Sequence, residues 1–212
     1  MEHKFRIDAT QADGRGEPLR TSAEPDFGQA LITSRQNISA KRLVEPGPSP
    51  AQLAAVFEAA AAAPDHGMLC PWRFVLVPAH RRDDLATVFA LALLDRAPGA
   101  SLEQIEAARE KAYRAPCLLA AIARLGTVEP PIPVLERMVS FGAAVQNMLL
   151  SAHSMGLGGG LTSGQAMGSP RMRQLLRLGD GEEAVCFINL GTVSKGKMPR
   201  LRPDAAMFVS SL

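Results

Sequence analysis

The chain has 212 residues, 47% of them hydrophobic and 21% charged, with 23 basic and 21 acidic side chains and a formal net charge of +2. That balance excludes a disordered chain and gives no electrostatic case for nucleic acid or a membrane surface as partner. A chain of this length buries roughly 70% of its unfolded surface, so it needs no disulfide or metal staple to fold.

Cys70, Cys117 and Cys186 stand far apart, without a CxxC or Cys/His cluster. That spacing argues against a zinc site, and three thiols in apolar company fit buried, reduced side chains and a cytoplasmic location. The first 26 residues have no apolar core of the kind a signal peptide needs, and no run long enough for a membrane span occurs along the sequence. One Trp and one Tyr leave little for stacking on single-stranded nucleic acid.

Residues 1–26 mix charges with Gly and Pro and read as a flexible N-terminal extension. A short helix is predicted over 27–34, with Phe27, Ala30 and Leu31 on one face. Residues 35–43 follow as a polar, basic segment. Arg35, Asn37, Ser39, Lys41 and Arg42 offer many donors, which suits a phosphate and equally suits a solvated connector. Ser49, Pro50 and Gln52 then give an N-cap, a first-turn proline and a capping box. They open a helix over 50–62 that buries Leu53, Val56, Phe57 and Ala60.

The loop Ala63-Pro64-Asp65-His66-Gly67-Met68-Leu69-Cys70-Pro71-Trp72 joins that helix to a strand predicted over 72–77. Each proline disfavours helix at the residue before it. Asp65, His66 and Gly67 make a polar turn between them. An acid and an imidazole here fit a ligand loop, and the loop also serves as an ordinary connection.

A helix to about residue 96 carries Leu85, Val88, Phe89 and Leu93. Pro98 and Gly99 end it, and Ser101 with Gln104 opens a charged helix to about residue 114. The apolar run 117–123 reads as a buried strand. The longest helix, 134–155, spaces Leu135, Met138, Val139, Gly142, Val145, Met148, Leu149 and Ala152 at helical period. Few charges follow Arg137, so it is expected to be buried on most sides. Gly142, Ala143 and Ala144 would let another helix or a second subunit come close.

The segment 156–164 holds Gly156, Gly158, Gly159, Gly160 and Gly164. Gly156 suits a helix C-cap. The others mark either a turn or a place where the backbone approaches something flat or crowded. The run follows a helix and lacks GxGxxG spacing, so it is not a dinucleotide fingerprint. A short helix from Ser169-Pro170, a strand over 184–190 and a basic tail with Lys195, Lys197, Arg200 and Arg202 complete the chain. Strands and helices alternate unevenly, which argues an α+β sandwich.

Four stretches stand in order: the basic segment 35–43, the loop 63–72, the helix containing Phe141-Gly142-Ala143-Ala144-Val145-Gln146-Asn147 and running into Gly156-Leu157-Gly158, and Asn189-Leu190-Gly191-Thr192 before the basic tail. Together they resemble the FMN-dependent nitroreductase family, in its small single-domain YdjA-like branch, over about residues 27–210. The resemblance implies a nitroreductase-like domain over 27–212, with a central mixed sheet surrounded by helices. It further implies a homodimer with swapped elements and FMN in clefts at the interface.

Carried over by position, Arg35 binds the FMN phosphate. Gln36 and Asn37 contact the flavin, with Ser39 or Lys41 as alternative contacts. Asp65 and His66 reach the cofactor of the partner subunit. Leu161, Thr162 and Ser163 lie over the isoalloxazine face, and Arg200 or Arg202 completes the phosphate site. The implied activity moves hydride from NAD(P)H through FMN to a nitroaromatic, quinone or related small-molecule acceptor. With the redox chemistry on the cofactor, no catalytic side chain is expected. A different flavin reaction (flavin destruction or dehalogenation) and a non-enzymatic flavin-binding role are the alternatives. Asn37 departs from the family's hydroxyl, and Leu161-Thr162-Ser163 stand where one branch member has Trp-Arg-Ser.

Overall fold

The computed structural model describes residues 27–127, 129, 131–196, 198 and 200–211; the extension expected at 1–26 lies outside them. In chain order the elements are α1 (Phe27–Ser34), β1 (Leu43–Val44), α2 (Pro50–Ala61), β2 (Trp72–Leu76), α3 (Arg82–Arg96), α4 (Leu102–Arg109), β3 (Cys117–Arg124), α5 (Val134–Ser154), β4 (Gly158–Thr162), α6 (Pro170–Leu176) and β5 (Glu182–Val193). Both capping boxes form: Ser49 with Gln52 starts α2, and Ser101 with Gln104 starts α4. Each satisfies two amide donors that a helix start leaves open.

The sheet runs β1-β5-β3-β2, with β4 also paired to β5. β3 is its centre, and Cys117 to Ala123 are all buried. Period-2 alternation divides this strand between two cores. Cys117, Leu119, Ala121 and Ala123 face α2 and α5, together with Ile188 and Leu190 of β5. Leu118, Ala120 and Ile122 face the side of α3 and α6, together with Phe187. Burial pushes the thiols of Cys117 and Cys186 up to about 11, so both behave as small apolar side chains.

Several details differ from the sequence reading. Every strand pair is antiparallel, and the parallel contribution among the described residues is a single bridge between Asn37 and Gly159. Residues 158–162 form a strand, because crowding rather than turning selects glycine there. The charged helix yields at Arg109 to a 3₁₀ turn over Glu110–Tyr113. Cys70 is exposed. α1 buries no side chain, and Phe27 is 74% exposed. On α2, Val56 and Ala60 are buried while Phe57 is exposed. On α5, Leu135 is 80% and Val139 72% exposed. Helical spacing marks an apolar face without telling whether the same chain covers it.

Candidate cofactor site

The site starts where α1 ends. Ser34 Oγ and His153 Nε2 lie 2.9 Å apart, which ties the end of α1 to the last turn of α5. The chain then runs beside β4. Ile38 N donates to Gly159 O at 2.9 Å, and Asn37 Oδ1 accepts from Leu161 N at 3.1 Å. A Cβ on Gly160 would stand 2.1 Å from the Ile38 carbonyl oxygen. Only glycine allows this close approach, so part of the glycine run serves the chain's own backbone.

This path sets Arg35 at a cavity of about 320 Å³, which Gln36, His153 and the glycines from Gly156 to Gly159 also line. Arg35 Nε is buried and has no hydrogen-bond partner. Arg202 Nη2 donates to the Arg35 carbonyl oxygen at 3.0 Å. Burial lowers the Arg35 pKa, and the nearby Arg202 charge lowers it further. A buried donor without an acceptor beside a second like charge is costly unless an anion joins them. Arg200 is exposed.

Leu149 of α5 also lines a second, mainly apolar groove of about 420 Å³. Phe141, Val145, Leu161, Thr162 and Ser163 are among its walls. Thr162 Oγ1 accepts from Asn189 Nδ2 at 2.9 Å, and Ser163 Oγ donates to Val185 O at 3.0 Å. Both hydroxyls are thus held by the sheet. Ser39 precedes the 3₁₀ turn Ala40–Arg42 without capping it, and lines a cavity on the opposite sheet face.

Asp65 and His66 stand elsewhere. Asp65 Oδ2 accepts from Cys70 N at 2.6 Å and closes its own loop. Gly67, Met68 and Cys70 in that loop take positive φ, which is costly for the two side-chain-bearing residues. His66 Nδ1 pairs with Glu136 Oε2 at 2.8 Å, in the first turn of α5. Glu136 and His153 mark opposite ends of that helix, about 25 Å apart at 1.5 Å per residue. One chain does not bring His66 to Arg35.

His153 and Asn189 complete this region, although sequence reading assigned neither a role. His153 carried the weak signal of a polar group in the last helical turn. Asn189 is 2% exposed and donates to Gly160 O at 3.1 Å. A buried amide in an apolar strand was its signal. Among the described residues no group of three or more His, Cys, Asp or Glu could hold a metal, and no helix is long and apolar enough to cross a membrane.

The comparisons agree with this architecture. The model of the Nitroreductase family matches residues 39–192. "Putative NAD(P)H nitroreductase YdjA" of Escherichia coli (strain K12) is 31% identical over 186 residues, covering 87% of this chain and 98% of that protein. The crystal structure of a nitroreductase-like family protein from Bacillus cereus superposes with a TM-score of 0.75 at 17% identity, covering 87% of this chain and 95% of that one. A point mutant of the FMN and NADPH-dependent nitroreductase NfnB, from Sphigopyxis sp. strain HMH, gives 0.68 at 17% identity, with coverages of 87% and 98%. The chain belongs to the nitroreductase family, in its YdjA-like branch.

Proposed function

We propose that the protein is an FMN-dependent NAD(P)H oxidoreductase that reduces a nitroaromatic, quinone or related small acceptor. The observation that carries the reading is the buried, unpartnered Nε of Arg35 beside Arg202. A phosphate dianion supplies the missing acceptor and the missing negative charge. Arg35 and Arg202 would hold that phosphate, with the amides near Gly156 to Gly159 at its side. The groove walled by Leu149, Leu161, Thr162 and Ser163 would take the flat ring. FMN, when bound, supplies hydride uptake from a nicotinamide and hydride delivery to the acceptor. The NADPH and FMN dependence of the Sphigopyxis protein supports this choice of cofactor and donor.

The working unit in this proposal is a homodimer. The uncovered apolar face of α5, with Leu135 and Val139, gives a second copy a surface to bury. Two antiparallel α5 helices would carry Asp65 and His66 of one copy to the Arg35 end of the other. The test is an absorbance spectrum of the purified protein, FMN titration, and anaerobic addition of NADH and NADPH. Bound flavin that bleaches with a nicotinamide is expected. Protein without flavin that also fails to bind added FMN overturns the proposal.

A further inference from the structure

A second group of cations gathers at the other end of the sheet. Arg73 of β2, Arg124 at the end of β3, Arg137 in the first turn of α5 and Arg177 just beyond α6 wall an open pocket of about 550 Å³. Glu182, also in its wall, begins β5, whereas Val193 at the end of that strand lines the Arg35 cavity. The strand sets the two places roughly 35 Å apart at about 3.3 Å per residue. The pocket shares no wall residue with the Arg35 cavity or the groove beside Leu149.

Two loops pressed together shape this pocket. Leu125 N donates to Gly181 O at 2.6 Å, and a Cβ on Gly181 would stand 2.3 Å from Gly126 Cα. Arg173 Nη1 and Nη2 donate to Glu182 O and Gly179 O, each at 2.9 Å, which fixes the second loop. The site is thus built before any ligand arrives.

Its charges do not balance. Glu182 is taken up by Arg73, at 2.6 and 2.9 Å, and lies 3.5 Å from Arg124. Arg137 is 5% exposed, and its Nη atoms donate only to the carbonyls of Arg124, Leu125 and Gly126. Its Nε is buried without a partner, so no carboxylate answers this charge. The Arg177 and Asp180 side chains form no hydrogen bond or ion pair with a described residue. Four arginines face two acids, and no described residue in the wall has an apolar side chain.

We infer that this pocket binds a phosphorylated sugar, with its phosphate toward Arg177 and Arg124 and a hydroxyl toward Asp180. The surplus of positive charge and the arginine forks favour a phosphate dianion. A free carboxylate repels a bare phosphate but accepts from a hydroxyl, so Asp180 selects a ligand that carries both groups. The volume lies within the roughly 300–1,000 Å³ of small organic ligand sites, and walls of arginine, glycine and acid suit a polar body rather than an apolar ring. The assignment does not rest on the proposed flavin reaction.

The test is calorimetric titration of the full-length protein, saturated with FMN, with ribose 5-phosphate, ribose and inorganic phosphate. Ribose 5-phosphate is expected to bind at least tenfold more tightly than ribose and threefold more tightly than inorganic phosphate. Arg177→Gln should weaken both phosphate probes threefold or more. Asp180→Asn should weaken ribose 5-phosphate threefold or more and leave inorganic phosphate no weaker. Circular dichroism and an unchanged FMN affinity check that both variants fold. No binding of ribose 5-phosphate, affinity no better than that of inorganic phosphate, unaltered ribose 5-phosphate affinity in Arg177→Gln or in Asp180→Asn, or release of FMN by ribose 5-phosphate each overturns the inference. Adenosine 2′-monophosphate separates the sources once the inference holds: binding as tight as ribose 5-phosphate assigns the sugar phosphate to a nucleotide, and binding tenfold weaker assigns it to a free sugar phosphate. Absence of FMN binding bears only on the proposed function.

Discussion

Arg202 Nη2 donates to the backbone oxygen of Arg35 at 3.0 Å, and neither guanidinium forms an ion pair with a described residue. Two cations held together without a counter-charge weaken the unliganded protein and strengthen its hold on an anion. Arg35→Ala should therefore weaken FMN binding by about 1.5–3 kcal/mol, the range for a hydrogen bond to a charged group. Arg202→Ala should act in the same direction, and exposed Arg200→Ala should do less. Flavin fluorescence titration reads all three. Unchanged affinity in Arg35→Ala rejects its assignment to the phosphate.

The uncovered face of α5 makes a separate prediction. Val139→Glu places a charge where a second copy is proposed to pack, and the side chain is 72% exposed within one chain. The isolated fold should tolerate it within about 0.5 kcal/mol, as surface substitutions usually do. Light scattering should show the population moving from dimer to monomer, with FMN affinity falling alongside. A variant that stays dimeric and flavin-loaded would mean the dimer uses another surface.

Complementation tests whether His66 serves the other subunit. The His66–Glu136 pair is exposed on both sides, so its loss should cost the fold about 0–1 kcal/mol. Mixed dimers of one Arg35→Ala chain and one His66→Ala chain should then keep one site of normal FMN affinity. Both functional residues of that site come from different chains. If His66 serves its own chain's site, no normal site survives, and the FMN stoichiometry decides between the two.

Away from the site, Glu182 accepts from Arg73 at 2.6 and 2.9 Å and lies 3.5 Å from Arg124. The Arg73 hydrogen bond is the main cause that holds its carboxyl down to about 2. A depressed folded pKa means that the ionised state stabilises the fold. That contribution is present above the ordinary value of 4.5 and is lost as pH falls toward about 2. Glu182→Gln should cost about 1.5–3 kcal/mol at neutral pH. Urea unfolding of the two proteins should show the gap closing below about pH 4. A gap constant down to pH 2 would remove the ion pair as its origin.

The helices were legible in the sequence because local chemistry wrote them. Ser49-Pro50 with Gln52, and Ser101 with Gln104, mark starts that need no tertiary contact. The central strand was legible as an unbroken apolar run. β4 was not, since Gly158-Gly159-Gly160 has no strand propensity. It pairs because the chain at Ile38 and Leu43 leaves no room for side chains. In the site, Arg35 and a tail arginine were expected together, and the fold sets Arg202 beside Arg35. The positions of Asp65 and His66 relative to Arg35 depend on α5 holding its two ends apart, which local sequence does not encode. The exposure of Val139 depends on what covers the helix, so its spacing alone suggested burial.

Gly160 gives the most direct test of how the Arg35 segment is held. A methyl group there would meet the Ile38 carbonyl oxygen at 2.1 Å and its carbon at 3.1 Å. Both are backbone atoms, so relief requires moving the chain between Asn37 and Ile38 off β4. Gly160→Ala should destabilise the protein by about 1–3 kcal/mol, the usual range for overpacking. It should also weaken FMN binding by displacing Arg35, although it removes no polar group. Gly99→Ala is the control, because its Cβ would meet nothing within 4 Å. Thermal unfolding and FMN titration should show both losses in Gly160→Ala and neither in the control. Hydrogen exchange should place the new opening at Ile38 N and Leu161 N, which donate to Gly159 O and to Asn37 Oδ1. Unaltered protection there would mean that β4 can absorb the methyl group, and that the glycine is not what seats Arg35.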